Sequence, residues 1–218
     1  MNDKRMIARS GTEEWYKARE YGVSATTVAK AAAGPGGYNA ELERALHPED
    51  NVIEDNAYMK FGRDWEQWIV EALPASYGIT ANDWLIAAAE QERHLATPDG
   101  LNADWSIIAE VKTTGKDWDK GLGRGVIPAD IPIQYRRQVQ WQMYVTGATK
   151  CVFAWLLRVE DDNGVFAPAW LEPKVIIIDR DEDMIRDLIE VAHRFVTDFN
   201  NYKEIELMVG QKKEIHYG

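Results

Sequence analysis

Apolar residues recur at helical spacing in several stretches of this chain, and stretches with strand character lie between them. Over 57–73, Phe61, Trp65, Trp68, Ile69 and Ala72 share one face and Pro74 closes the run, which predicts a long amphipathic helix. Thr12–Glu20 predicts a shorter helix with Thr12 as its cap and Trp15 as its anchor. Ser24–Ala33 predicts a second, stopped by Gly34-Pro35-Gly36-Gly37, whose composition predicts a loop. Trp84–Gln91, His94–Thr97 and Ser106–Thr113 read as strands, with a hairpin turn at Asn102-Ala103-Asp104. Pro132 opens a helix that Gly147 ends. Lys150–Arg158 and Lys174–Asp179 are strands, the second a Val-Ile-Ile-Ile run expected of a buried one. A last long helix starts near Asp181, with Met184, Leu188, Ile189, Ala192, Phe195 and Phe199 as its apolar face. The charged tail beyond Tyr202 is expected to be loosely held. This order predicts an α/β fold, a central mixed sheet flanked by helices.

Chemistry concentrates in Pro98-Asp99 and, on the following strand, Glu110-Val111-Lys112. Strand side chains alternate, so Glu110 and Lys112 share a face while Val111 points into the core. A hairpin turning at Ala103 sets Asp99 diagonally across from Glu110, close enough for two carboxylates to share a cation. Magnesium takes oxygen ligands and keeps several waters, so Asp99, Glu110 and the Val111 carbonyl suffice to hold it. Lys112 then stands where it can hold or deprotonate a water that attacks a phosphate. Glu-x-Lys on an exposed strand is also a common pair of solvated charges, so the pattern alone leaves both readings open.

The charge balance changes the picture less than it first suggests. With 36 acidic and 25 basic residues the formal net charge is -11, yet phosphate affinity comes from local cationic clusters. Such clusters occur at Lys4, Arg5 and Arg9, at Lys112, Lys116, Lys120 and Arg124, and at Arg136 and Arg137. The single cysteine, Cys151, excludes an internal disulfide framework and reads as a buried structural thiol. No apolar run is long enough to cross a bilayer, the first nine residues lack a secretory pattern, and a cytoplasmic protein is expected.

Four segments, in order, carry a family resemblance: Trp15-Tyr16-Lys17-Ala18-Arg19 leading into Gly22-Val23-Ser24-Ala25-Thr26; Phe61-Gly62-Arg63-Asp64-Trp65-Glu66; Thr97-Pro98-Asp99-Gly100-Leu101 with Glu110-Val111-Lys112; and Tyr135 through Thr146. On these the chain resembles the lambda-exonuclease-like (YqaJ) viral recombinases of the PD-(D/E)xK nuclease superfamily. The resemblance implies a restriction-endonuclease-like core in a single nuclease domain over 1–218. Residues 1–56 would form a phosphate-gripping helical part, 57–200 the catalytic core and 203–218 the tail. It implies that Asp99, Glu110 and Val111 bind magnesium, or manganese in its place, and that Lys112 serves the nucleophilic water. Glu66 would stand beside the metal, against the alternative of a surface charge paired with Arg63. Gln138 would support Lys112 or the phosphate, against a glutamine satisfied within a helix interface. Arg19, Ser24 and Thr26 would grip the terminal phosphate, against an ordinary helix cap and salt bridge. The family commonly carries Thr-Ala-Ser where this chain has Ser24-Ala25-Thr26, so the hydroxyl that touches phosphate is open.

Lys116 and Arg137 are candidate DNA-backbone contacts, and Trp118 a candidate wedge or a core anchor. The activity implied is 5′-to-3′ digestion of one strand of duplex DNA. Its 3′ overhangs would pass to a single-strand-annealing partner, and the nuclease would work as a ring trimer, in the host cytoplasm if phage-encoded. An endonuclease on the same core and a non-catalytic DNA-binding protein are the competing readings.

Overall fold

The computed structural model describes residues 4–50, 54–119 and 123–216, with side chains as far as Met208. In chain order the elements are β1 (Met6–Arg9), α1 (Glu13–Tyr21), β2 (Val23–Ser24), α2 (Ala25–Ala31), α3 (Pro35–Leu46), α4 (Ala57–Glu71), β3 (Thr80–Ala81), β4 (Trp84–Ala87), β5 (His94–Ala96), β6 (Gly100–Leu101) and β7 (Ile107–Thr114). There follow α5 (Ile133–Thr146), β8 (Lys150–Glu160), β9 (Phe166–Pro168), β10 (Lys174–Asp179) and α6 (Glu182–His216).

The main sheet runs β10-β8-β7-β6-β3, with β9 hydrogen-bonded to β8 beyond it. It is mixed: β7 and β8 are parallel from Ile107↔Lys150 to Thr114↔Leu157, and the other pairs are antiparallel. Helix α5 supplies the crossover that a parallel pair requires. A smaller sheet, β1-β4-β5-β2, packs nearby. Alternation along β7 and β8 divides the main core. Ala109, Val111, Val152, Ala154 and Leu156 face Ile69 and Val70 of α4. Ile108, Cys151, Phe153 and Trp155 face Val139, Trp141 and Met143 of α5. Helix α5 is also in contact with β4 and β5, so it lies between the two sheets. Cys151 is fully buried, as expected.

Three local features differ from the sequence expectation. Gly34-Pro35-Gly36-Gly37 starts α3 rather than a loop: Gly34 adopts φ 119° as the cap and Pro35 occupies the first turn. Proline there removes an amide that had no helical partner, which composition alone does not distinguish from a turn. Gly37 lies so close to α2 that a Cβ would sit 2.5 Å from the Lys30 carbonyl oxygen. The second difference is near the N-terminus, where Met6–Arg9, for which no element was expected, pairs with β4 as an edge strand. The third is that α6 continues beyond Tyr202 to His216, with residues 204–208 exposed and Lys203 Nζ donating to the Leu46 carbonyl at 3.0 Å. No helix among the described residues is long and apolar enough to cross a membrane.

Candidate active site

Strand β7 outruns β6, whose ladder stops at Gly100↔Ala109, so its second half has an open edge where the charged side chains collect. Asp99 is therefore not a diagonal ladder partner of Glu110, as the hairpin reading expected. Its amide donates to the Ala109 carbonyl at 3.0 Å, and its Oδ2 accepts the Val111 amide at 2.7 Å. The carboxylate takes the place of the next main-chain acceptor, which fixes it beside β7.

Glu110 is 1% exposed and lies on the α5 side of β7. Its Oε1 accepts from Lys112 Nζ and from Gln138 Nε2 at 2.6 Å, and its Oε2 from Gln142 Nε2 at 2.7 Å. A buried carboxylate is tolerable only when paired and hydrogen-bonded in this way. Gln138 and Gln142 are one helical turn apart on α5, so both amides reach the same group. Gln138 was expected at the site. Gln142 was not, and its signal was that spacing from Gln138. Lys112 also stands 5.3 Å from the centre of the Tyr135 ring. Burial alone would lower its pKa, but Glu110, Asp99 and Tyr135 outweigh that and raise it, keeping the ammonium protonated.

The other carboxylates are held the opposite way. Burial first, then the charges of Glu110 and Glu66, push the Asp99 carboxyl well above its ordinary range. Burial and Glu110 push Glu66 up as well, with Lys112 opposing. Glu66 does not pair with Arg63, because that guanidinium grips Asp55 at 3.0 and 2.5 Å. Glu66 and Asp99 instead line one pocket of about 480 Å³ with Arg9, Arg63, Asn82 and Asp83. Asp99 and Glu66, both pushed up by the charge of Glu110, stand with it beside a single ammonium, a deficit of positive charge that a divalent cation would relieve. Their oxygens have not closed into a tight ligand set. Among the described residues the trio whose ligand atoms lie within 4.8 Å of one another is His47, Glu49 and Asp50, near the surface after α3.

Of the expected phosphate grip, Arg19 lines a second pocket, of about 460 Å³, with Lys17, Thr27, Glu41, Arg44 and Phe195 among others, and Ser24 and Thr26 do not. That pocket shares no lining residue with the pocket of Asp99 and Glu66. The Arg19 guanidinium lies 4.4 Å over the Trp15 ring, burial lowers its pKa, and among the described residues it makes no ion pair. Ser24 is buried, and its hydroxyl is engaged as the α2 cap, accepting the Thr27 amide at 3.2 Å and bonded to the Thr27 hydroxyl at 2.9 Å. Thr26 is exposed, and Thr27, which the sequence reading passed over, faces the pocket.

Lys116 is exposed just past β7, and Arg137 is half-buried on α5 without an ion pair among the described residues. Arg124 is committed to Asp130 at 2.6 Å, and Lys120 lies outside the described residues. Trp118 is a core anchor rather than a wedge, packed on Tyr135, Phe153 and Trp155 at centroid distances of 5.7, 5.7 and 5.4 Å.

Comparison with known proteins places this geometry. Curated protein sequences give no match. Among solved structures, the alkaline exonuclease LHK-Exo from Laribacter hongkongensis is 23% identical, with a TM-score of 0.70 over 94% of this chain and 100% of that one. LHK-Exo in complex with dAMP gives 22% identity with the same TM-score and the same coverage. A phage-related exonuclease from Haemophilus somnus 129PT is 15% identical, with a TM-score of 0.58 over 84% of this chain and 96% of that one. At these identities the likeness is one of fold. The sequence profile of the YqaJ-like viral recombinase domain matches residues 14–149, more than half of the chain and all four motif segments. The chain belongs to the YqaJ-like viral recombinase family.

Proposed function

We propose that this protein is a divalent-metal-dependent deoxyribonuclease that digests one strand of linear duplex DNA from its 5′ end. The observation that carries the reading is the convergence of Glu110, Asp99 and Glu66 around Lys112 at the open edge of β7. Asp99, Glu110 and the Val111 carbonyl would hold magnesium, or manganese in its place, with Glu66 beside them. Such an ion supplies charge neutralisation at the phosphate and an acidified water. Gln138 and Gln142 orient Glu110 and keep its charge tolerable in a buried position. Lys112, with three donors and no acceptor while protonated, positions the nucleophilic water and opposes charge on the phosphate rather than abstracting a proton. For this Lys112 would have to leave Glu110 Oε1, and a cation held by Asp99 and Glu110 would neutralise that carboxylate instead.

Arg19, which makes no ion pair among the described residues, suits a terminal phosphate, which favours an exonuclease over an endonuclease. The names of the fold relatives, alkaline and phage-related exonucleases, point the same way. The products would be 3′ overhangs for a single-strand-annealing protein, and assembly into a ring of three subunits would keep the enzyme on its substrate.

The test is digestion of end-labelled linear duplex and of closed circular duplex, with and without magnesium. Loss of the linear DNA from its 5′-phosphorylated ends, only with metal, is expected; efficient cutting of circles would sink the exonuclease reading. Replacing Lys112 by alanine should lower cleavage by about 10³-fold or more while leaving DNA binding largely intact. Cleavage that survives in K112A would remove the mechanism.

A further inference from the structure

Arg158 occupies the part of β8 that extends past the main sheet, opposite Pro168 of β9. Its guanidinium carbon lies 4.4 Å from the centre of the Tyr58 ring and 5.3 Å from that of Phe166. Those two rings are themselves 4.9 Å apart. Tyr58, on the first turn of α4, is 52% exposed. A guanidinium stacked on an aromatic face is fixed in plane while its N–H edges stay free. Nothing among the described residues uses those edges: Arg158 makes no ion pair or side-chain hydrogen bond.

Among the described residues Arg19 and Arg137 likewise make no ion pair, but other arginines are committed. Arg9, Arg63, Arg124 and Arg186 each hold a carboxylate, as does Arg180, and Arg93 holds the Tyr21 carbonyl. With 36 acidic residues against 25 basic, an arginine beside an acidic hairpin could readily be neutralised. The nearby Asp161 instead turns its carboxylate to the amides of Asn163 and Val165, both at 2.9 Å.

The position is also informative. Arg158 Nη2 lies 3.5 Å from where a Cβ on Gly115 would sit, and Gly115 is three residues beyond Lys112. Three extended residues span at most about 10 Å. Tyr58 approaches from the same helix that carries Glu66.

We propose that Arg158, held in plane by Tyr58 and Phe166, is a clamp for a DNA backbone phosphate flanking the bond that is cut. The inference rests on the nuclease reading and adds a substrate contact to it.

The experiment compares wild type, R158A and R158K, with R158Q in place of R158A if that variant melts early. Binding of a fluorescein-labelled, 5′-phosphorylated duplex is followed by anisotropy in EDTA over a range of salt, and KM and kcat are measured with magnesium. R158A should raise Kd and KM about tenfold, keep kcat within about twofold, and flatten the log–log salt slope by about 0.9. R158K should restore the slope but not the full affinity, because it keeps the charge and loses the stacked fork. An unchanged Kd and slope in R158A, with K112A inactive as expected, overturns the clamp alone. Wild-type protein that neither binds nor cuts linear duplex overturns the nuclease reading and the clamp with it.

Discussion

At the scale of single residues, Glu110 organises the site. It is nearly inaccessible, and each of its oxygens is met by a donor, so its surroundings were built for a charged group rather than adapted to one. Gln142 is the part of this arrangement that sequence reasoning overlooked, and it gives a specific expectation. Q142L should leave Glu110 Oε2 without its donor and lower activity or apparent metal affinity about 10- to 100-fold. A magnesium titration of cleavage rate checks this, and a titration curve superimposable on wild type would rule the role out. Glu110 and Lys112 were legible in the sequence because alternate side chains of one strand share a face, and Asp99 only as a carboxylate that the hairpin brings near that strand. The way Asp99 is fixed was not legible, because it depends on where the β6 ladder stops.

At the scale of elements, the start of α3 shows what local composition leaves undecided. Gly34-Pro35-Gly36-Gly37 suits a loop or a helix start equally, and packing against α2 selects the helix. The two inner glycines then differ. G37A places a Cβ 2.5 Å from the Lys30 carbonyl oxygen and 3.3 Å from Ala33 Cβ. It should cost about 1–3 kcal/mol and lower Tm by about 2–4 °C for each kcal/mol. G36A meets nothing within 4 Å and should stabilise the helix by up to about 1 kcal/mol. Thermal melts of the pair decide the point, and equal Tm values would mean that the α2–α3 contact is not a constraint. By contrast, α4 and α5 were foreseen almost to their ends. In α4 the aromatic stripe and Pro74 agree; in α5 Pro132 and Gly147, the latter at φ 88°, mark both boundaries.

At the scale of the whole molecule, His94 joins the small sheet to α5 and α6. It is fully buried, with Nδ1 3.0 Å from the Tyr144 hydroxyl and its ring 4.8 Å from Trp141 and 5.4 Å from His193. Burial first, then His193 and Arg93, lower its pKa from 6.5 to about 4. The folded state therefore keeps the ring neutral where the unfolded chain takes up a proton. Stability from this residue is complete above pH 6.5 and is lost as pH falls towards 4, by up to about 3 kcal/mol. Denaturant unfolding of wild type and H94F between pH 4 and 7 should show the difference between them narrowing or reversing as pH falls. A pH-independent difference would assign the effect to other groups.

The sequence by itself determined the periodic elements, the mixed α/β core and the residues that form the acidic cluster with Lys112. The elements, the core and the Glu110–Lys112 face follow from side-chain period and short-range strand geometry, whereas Glu66, on α4, was expected only through the family resemblance. Tertiary structure decided what depends on distant segments meeting: that Gln142 faces Glu110, that Thr27 lines the pocket of Arg19, that Trp118 is core, and that Arg158 is stacked and makes no ion pair among the described residues. The physical reason is that hydrogen-bond and ion-pair partners are settled by which groups are left unsatisfied once the chain is packed, a property no single segment carries.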